Sequence, residues 1–379
     1  MRRRIPLRVG VAGAPRGGGF VAGLRAAAGD ARLAAVYDPD PGARQRFAAD
    51  HGLDVVCASY QELLDHCDLV IVSSPQQHHV PQAIMALDAG IHVLSEVPAA
   101  VSLEQARDLV AAVRRSNARY MLAENYCYIR SNLVVGAMAR AGVFGELYYG
   151  EGEYLHEMRQ FHHTPTGAPT WRYYWQVGRI GHTYPTHSLG PLLQWFDDRV
   201  VAVSCTGTGR HTDPEHEIDD TVLLLCRTSR GALLRVRFDL LSNRPHLMDY
   251  YSVQGTGGAY EAPRAPNQQP RVYLHGHSPD GSWEPLSAYQ EKFLPERYQQ
   301  VPAGAGHWGA DAWPVLEFVH AIVGDTDVPF GVFDALDMSL PGIASQRSAG
   351  EGGSWVHVPD PRLWTAGIGV EPGREAPRA

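Results

Sequence analysis

Two carboxylates, Glu96 and Asp38, stand where this chain could do chemistry. Glu96 follows the apolar run Ile91-His92-Val93-Leu94 and Ser95, so it lies just past the carboxyl end of an expected strand. In an open α/β sheet that edge is where ligands bind. Val97 beside it can neither donate, accept nor carry charge. Asp38 ends a second expected strand, Leu33 to Tyr37. A carboxylate there can hold the adenosine ribose hydroxyls of a dinucleotide, and it repels a 2′-phosphate, which favours NAD over NADP. The turn Gly13-Ala14-Pro15-Arg16-Gly17-Gly18-Gly19 follows the first strand and opens a helix, as a dinucleotide fingerprint requires. Its second glycine position holds Pro15, which brings a ring and no N–H.

The elements that position these groups follow from periodicity. Strands are expected at Leu7–Ala12, Leu33–Tyr37, Asp68–Ser73, Ile91–Leu94 and Met121–Ala123, with helices at 40–50, 81–89 and from a Ser102 cap. Such alternation implies a doubly wound parallel sheet. After about residue 145 the runs alternate with period two. The clearest is Leu234-Arg235-Val236-Arg237-Phe238. This predicts an α+β second domain with a large, mostly antiparallel open sheet. The expected division is an NAD-binding Rossmann domain over 1–125, a substrate and oligomerisation domain over 126–365, and a flexible tail over 366–379. The helix near 312–323 is free to pack back on the first domain.

Composition narrows the function. An apolar fraction of 44% and a charged fraction of 20% are those of a globular protein, and a net charge of -8 disfavours nonspecific nucleic-acid binding. Five cysteines without C-x-x-C spacing read as free buried thiols of a reducing compartment, so the expected location is cytoplasmic. The apolar run after Met1-Arg2-Arg3-Arg4 reads as a first strand rather than a signal segment. No membrane span is expected. His78-His79 has no matching carboxylate or cysteine, so no metal is expected. The cluster Trp171-Arg172-Tyr173-Tyr174-Trp175 suits a sugar, whose C–H faces pack on aromatic rings.

Glu96-Val97-Pro98 resembles the Glu-Lys-Pro signature of the Gfo/Idh/MocA family of nicotinamide-dependent sugar oxidoreductases, with Val97 in the place of the lysine that handles the substrate hydroxyl. With Ala123-Glu124-Asn125-Tyr126-Cys127-Tyr128, Gly152 to Arg159, Tyr184 to Pro191 and Val253-Gln254-Gly255-Thr256, the chain resembles glycoside hydrolase family 109, the NAD-dependent α-N-acetylgalactosaminidases. The resemblance implies a cofactor site of Gly13, Arg16, Gly17, Gly18, Asp38, Ser74, Gln76, His79, Glu96, Val97 and Asn125. It implies a sugar pocket of Tyr154, Arg172, Tyr184, His187 and Tyr250, with His187 as leading acid/base and Tyr154 as second. Histidine suits that work because it titrates near neutrality, and Arg172 could lower a tyrosine toward it. Thr183 stands where ordinary members carry an aspartate, so two relay positions are altered together.

The activity implied is redox-neutral glycoside hydrolysis with NAD. Transient oxidation at C3 acidifies C2–H, and removal of that proton eliminates the group at C1, on an N-acetylhexosaminide. The alternatives are a net NAD-dependent sugar or cyclitol dehydrogenase, and a non-catalytic sugar- or dinucleotide-binding regulator. A carbohydrate partner and a homo-oligomer are expected.

Overall fold

The computed structural model describes residues 5–279 and 281–365. The Met1–Arg4 start and the expected tail lie outside them. Six parallel strands, β1 (Leu7–Ala12), β2 (Ala31–Tyr37), β3 (Val55–Cys57), β4 (Leu69–Val72), β5 (His92–Ser95) and β6 (Tyr120–Leu122), form one sheet in the order β3-β2-β1-β4-β5-β6. The order reverses between β1 and β4, which opens a crevice at their carboxyl ends. Val9, Val11, Val70, Ile71 and Val72 are fully buried, as a sheet covered on both faces demands. Each such side chain contributes roughly 1.5–3 kcal/mol. The helices between strands begin on side-chain caps: Asp40 accepts from Gly42 N at 2.8 Å, and Ser102 from Gln105 N at 3.1 Å.

The second sheet has nine strands. They are β7 (Leu147–Leu155), β8 (Val200–Gly207), β9 (Val222–Thr228), β10 (Leu233–Asp239), β11 (Leu247–Gly255), β12 (Gly258–Glu261), β13 (Arg271–Leu274), β14 (Glu284–Pro285) and β15 (Val356–His357). Their order is β14-β13-β12-β11-β7-β10-β9-β8-β15, antiparallel except that β10 runs parallel to β7. Helices Thr186–Phe196 and Val332–Gly350 cover one face. The other carries ion pairs, Arg235 to Glu151 at 3.0 Å and Arg264 to Glu153 at 3.1 Å. Helix Ala312–Gly324 packs on Val21–Ala26 so closely that a Cβ on Gly23 would lie 2.6 Å from Ala312 O.

Sequence reading passed over β3, helix Tyr60–Asp65 and the 19-residue helix Val332–Gly350. The first two are short. The third contains Pro341 and a run of small polar residues that blur its period. All five cysteines are free and buried, and burial raises Cys57 to about 11 and Cys67 to about 12, which keeps both as thiols.

His182 is fully buried and stacked on Phe238 at 4.3 Å, and burial lowers it to about 3. Burial also lowers His162, against His216 at 4.8 Å, to about 4. Both take up protons more readily when unfolded, so stability is full above pH ~6.5 and falls as pH drops toward their folded values. His182 alone costs up to roughly 1.4 kcal/mol per pH unit in that window. We expect His182→Phe to lose less melting temperature than the parent between pH 6.5 and 4. Identical losses would contradict this assignment.

Candidate active site

A cleft of about 740 Å³ runs along the carboxyl ends of β1, β2, β4, β5 and β6 and continues under β7 and the 156–187 segment. Gly13 turns the chain at φ +96, and a Cβ there would lie 2.4 Å from Ser73 O, so only glycine fits. Gly17 serves packing instead: a Cβ would strike Val11 at 2.2 Å. Gly17 and Gly18 do not line the cleft, whereas Gly13, Pro15 and Arg16 do. Asp38 accepts from Ala14 N and Asp40 N, both at 2.9 Å, which locks its carboxylate at the end of β2 facing the glycine turn. This arrangement fits a dinucleotide, with the turn for the pyrophosphate and Asp38 for the ribose.

At the inner end Arg16 reaches across to Glu96 and pairs with Asp311 at 3.1 Å. The other Glu96 oxygen accepts from Val97 N at 2.9 Å. Asp311 also accepts from Asn125 at 2.7 Å and bonds His307 at 2.9 Å. Burial alone would raise the Asp311 carboxyl, but His307 and Arg16 overcome that and hold it well below the usual carboxylate range. Asn125 Oδ1 is buried without a partner among the described residues, an acceptor left for a ligand donor. Ser74, bonded to Gln82 at 2.6 Å, Gln76, bonded to Trp175 O at 2.6 Å, and His79 form the wall after β4. The two His79 ring nitrogens lie 2.9 Å from Pro98 O and 2.8 Å from Ser74 O, so the ring clamps this wall to the Val97–Pro98 turn.

Opposite, helix Thr186–Phe196 presents His187 in its first turn. Its Nδ1 lies 2.7 Å from Glu124 Oε1, its ring stacks on Tyr126 at 3.9 Å, and Tyr251 donates to its carbonyl at 2.5 Å. A carboxylate on Nδ1–H fixes the tautomer and leaves Nε2 as the acceptor in the cleft. Tyr154, on β7, lies beside it with ring centroids 5.3 Å apart, and Tyr184 at 5.0 Å. Arg172 stacks on Trp171 at 4.4 Å and donates to Gln176 at 3.1 Å, its charge turned into the pocket.

Two further expectations are corrected. Tyr250 is not in the pocket. It pairs with Glu153 across β11 and β7, which puts it on the face opposite Tyr154, under the Arg264 guanidinium at 3.6 Å. A bulge between Leu247 and Tyr250 shifts the register that parity alone would set. Nor does Arg172 bring Tyr154 toward neutrality: burial raises the phenol well above its ordinary value, and Arg172 only opposes that. Thr183 donates to Gln176 O at 2.9 Å and serves the local turn.

Sequence reasoning missed Glu124, His156, His307 and Asp311 as part of this site. Glu124 gave the same signal as Glu96, a carboxylate just past a strand. Asp311 gave none, since its partner Arg16 lies in the first turn of the chain.

The comparisons agree with this geometry. Residues 7–124 match the oxidoreductase family NAD-binding Rossmann fold, and residues 128–211 and 200–366 match the glycosyl hydrolase 109 C-terminal domain. The chain is 30% identical over 330 residues to a glycosyl hydrolase family 109 protein of Shewanella sp. (strain ANA-3), covering 80% of this chain and 71% of that one.

The chain belongs to glycosyl hydrolase family 109.

An α-N-acetylgalactosaminidase of Shewanella oneidensis is 29% identical over 333 residues, covering 80% of this chain and 71% of that enzyme. A levoglucosan dehydrogenase in complex with NADH and levoglucosan shares the fold, with TM-score 0.77 at 20% identity over 94% of this chain and 100% of that one. This family 109 protein is therefore an enzyme, and NAD is its cofactor. Among its described residues no helix is long and apolar enough to cross a membrane. Cys57, Glu62 and His66 approach one another, but Glu62 accepts from Ala58 N at 2.7 Å beside the Ser59 cap, which explains its place without a metal.

Asp38→Ala removes a charged acceptor, a change that costs about 1.5–3 kcal/mol. NAD affinity should fall about 10-fold or more, and NADP should begin to compete. Titration of both dinucleotides checks this, and an unchanged preference would contradict the role given to Asp38.

Proposed function

We propose that this enzyme hydrolyses an N-acetylhexosaminide by a redox-neutral route: transient oxidation at C3, loss of the C2 proton and elimination at C1, followed by water addition and reduction. One observation carries the reading. The proton-handling side chains His187, held by Glu124, and Tyr154 line one pocket on the second-domain side of the cleft, while the β5 strand end offers Val97 and a Glu96 already held by Arg16 and the Val97 amide. NAD when bound supplies the hydride acceptor and donor at C3.

The chain's own residues supply the rest. Glu124 orients His187, whose Nε2 takes the C3 hydroxyl proton and returns it. Tyr154 faces the same ring and takes the proton from C2. Its raised value makes it a strong base once ionised, which suits a carbon acid. Arg172 offsets the negative charge that develops on the enolate. Trp171 and Phe161 give the sugar an apolar wall. The relative from Shewanella oneidensis named an α-N-acetylgalactosaminidase supports the N-acetylhexosaminide class.

A panel of aryl glycosides tests it, with aglycone release and NADH absorbance read together. Aglycone release without accumulating NADH is the expected result. Steady NADH formation from free sugars with no cleavage would replace the reading with a net dehydrogenase.

A further inference from the structure

The Tyr154 hydroxyl lies 2.9 Å from Nδ1 of His156, two residues on along the same chain. His156 is half-buried and lines the cleft. Its ring meets that of His246, just before β11, at 4.5 Å, and His246 is exposed. The three side chains thus form a continuous line from the sugar pocket to solvent, separate from the Glu124–His187 pair. Tyr154 needs such a line. A buried phenol can act as a base only if its own proton has somewhere to go.

We propose that His156 is the acceptor through which Tyr154 works as a base at C2, and that His246 connects it to water. The inference rests on the elimination reading above. In the 3-keto sugar, the C2–H bond breaks and its electron pair forms the enolate. The C2 proton goes to Tyr154 Oη as the hydroxyl proton moves to His156 Nδ1. The enolate then expels the group at C1 as its anion, which takes up the proton that the incoming water gives up as its oxygen bonds to C1. When water has added at C1, the proton held on His156 returns through Tyr154 to C2. While it is held there, exchange through His246 replaces it with one from solvent. Atoms and charge balance, and no further reactant is needed.

The surroundings suit a transient acceptor. Burial first, then His246, Arg172, His187 and His307, lower His156 to about 4, so it is neutral near pH 7 and a weak acceptor that holds the proton only while the negative enolate stands nearby, then gives it up. Tyr154 in turn feels the positive charges of Arg172 and Arg16 and the negative charges of Glu124 and Glu96.

The test uses the full-length enzyme with its NAD and p-nitrophenyl α-N-acetylgalactosaminide, unlabelled and deuterated at C2. His156→Asn keeps a hydrogen-bonding group near Nδ1 but cannot take up a proton. It should lower kcat about 10²-fold with KM within about threefold, and raise the C2 isotope effect as that step becomes limiting. His246→Asn should raise the share of substrate-derived hydrogen kept at C2, because exchange with solvent is slowed. NAD content and melting temperature of each variant show whether it is folded. A wild-type rate and isotope effect in folded His156→Asn would overturn the role of His156. Unchanged retention in His246→Asn would overturn the exit route. If the parent itself exchanges no hydrogen at C2, the elimination reading fails instead, and that arm is read first.

Discussion

Replacing His187 with alanine should lower kcat by about 10²- to 10⁴-fold, the usual contribution of a positioned general acid/base. The geometry gives the reason. His187 is 6% exposed, its Nδ1 is held by Glu124, and only Nε2 is left toward the cleft. Among the described residues no second histidine takes its place on that side. His307 is bonded to Asp311, and His156 lies beyond Tyr154. The residues proposed to hold NAD follow the strands of the first sheet, away from the helix that carries His187, so bound NAD per chain should stay at the parent level. Steady-state kinetics with a cofactor assay checks both. A variant that keeps its NAD and loses less than about tenfold would remove His187 from the chemistry.

Glu124→Gln should come close behind, with a loss of about 10²-fold or more. Orienting carboxylates in such pairs set the tautomer of the imidazole, and an amide can set the wrong one. Glu124 is fully buried, and Oε1 accepts from Tyr126 N at 3.1 Å as well as meeting His187 at 2.7 Å. In the glutamine variant a carbonyl left at the Oε1 position carries no charge to hold the Nδ1–H tautomer, and an amide turned over gives up the Tyr126 bond and puts its NH₂ on Nδ1. The Nε2 position would then carry the proton and could no longer accept one. The loss should therefore fall on kcat rather than KM, and Glu124→Asp should not restore it fully because the shorter arm withdraws from the ring. A glutamine variant with parental kcat would show that Glu124 only packs against the helix. Kinetics at two pH values on either side of the optimum separate a tautomer effect from simple loss of fold.

These two residues also show what the sequence could and could not reveal. His187 was legible because Tyr184-Pro185-Thr186-His187 is a compact motif on one helix start. Glu124 was equally visible, since it follows β6 as Glu96 follows β5, but Asn125 beside it drew the attention. The Rossmann half was readable because its central strands carry unbroken apolar runs and its glycine turn has one possible place. β3 has three residues, too few to show a period. In the second domain, facing is a matter of parity, and one bulge before Tyr250 sent that ring to the far side of the sheet. The Arg16–Asp311 pair joins residues 295 positions apart. No local pattern encodes it. It exists only because helix Ala312–Gly324 packs back on the first domain.

The fold also gives the absence of a lysine a physical setting. Val97 is 4% exposed, and the carboxylate before it is held by Arg16 and by the Val97 amide. The β5 strand end therefore contributes shape and a fixed anion rather than a mobile proton carrier. On the proposed route, proton transfer is left to groups on β7, on the helix that starts at Thr186, and just past β6.

Cleavage of p-nitrophenyl α-N-acetylgalactosaminide in deuterated water, with the released sugar examined at C2, tests this most directly. The elimination route predicts deuterium at C2 of the product, with no net NADH formed. Cleavage with full retention of the original C2 hydrogen would contradict it.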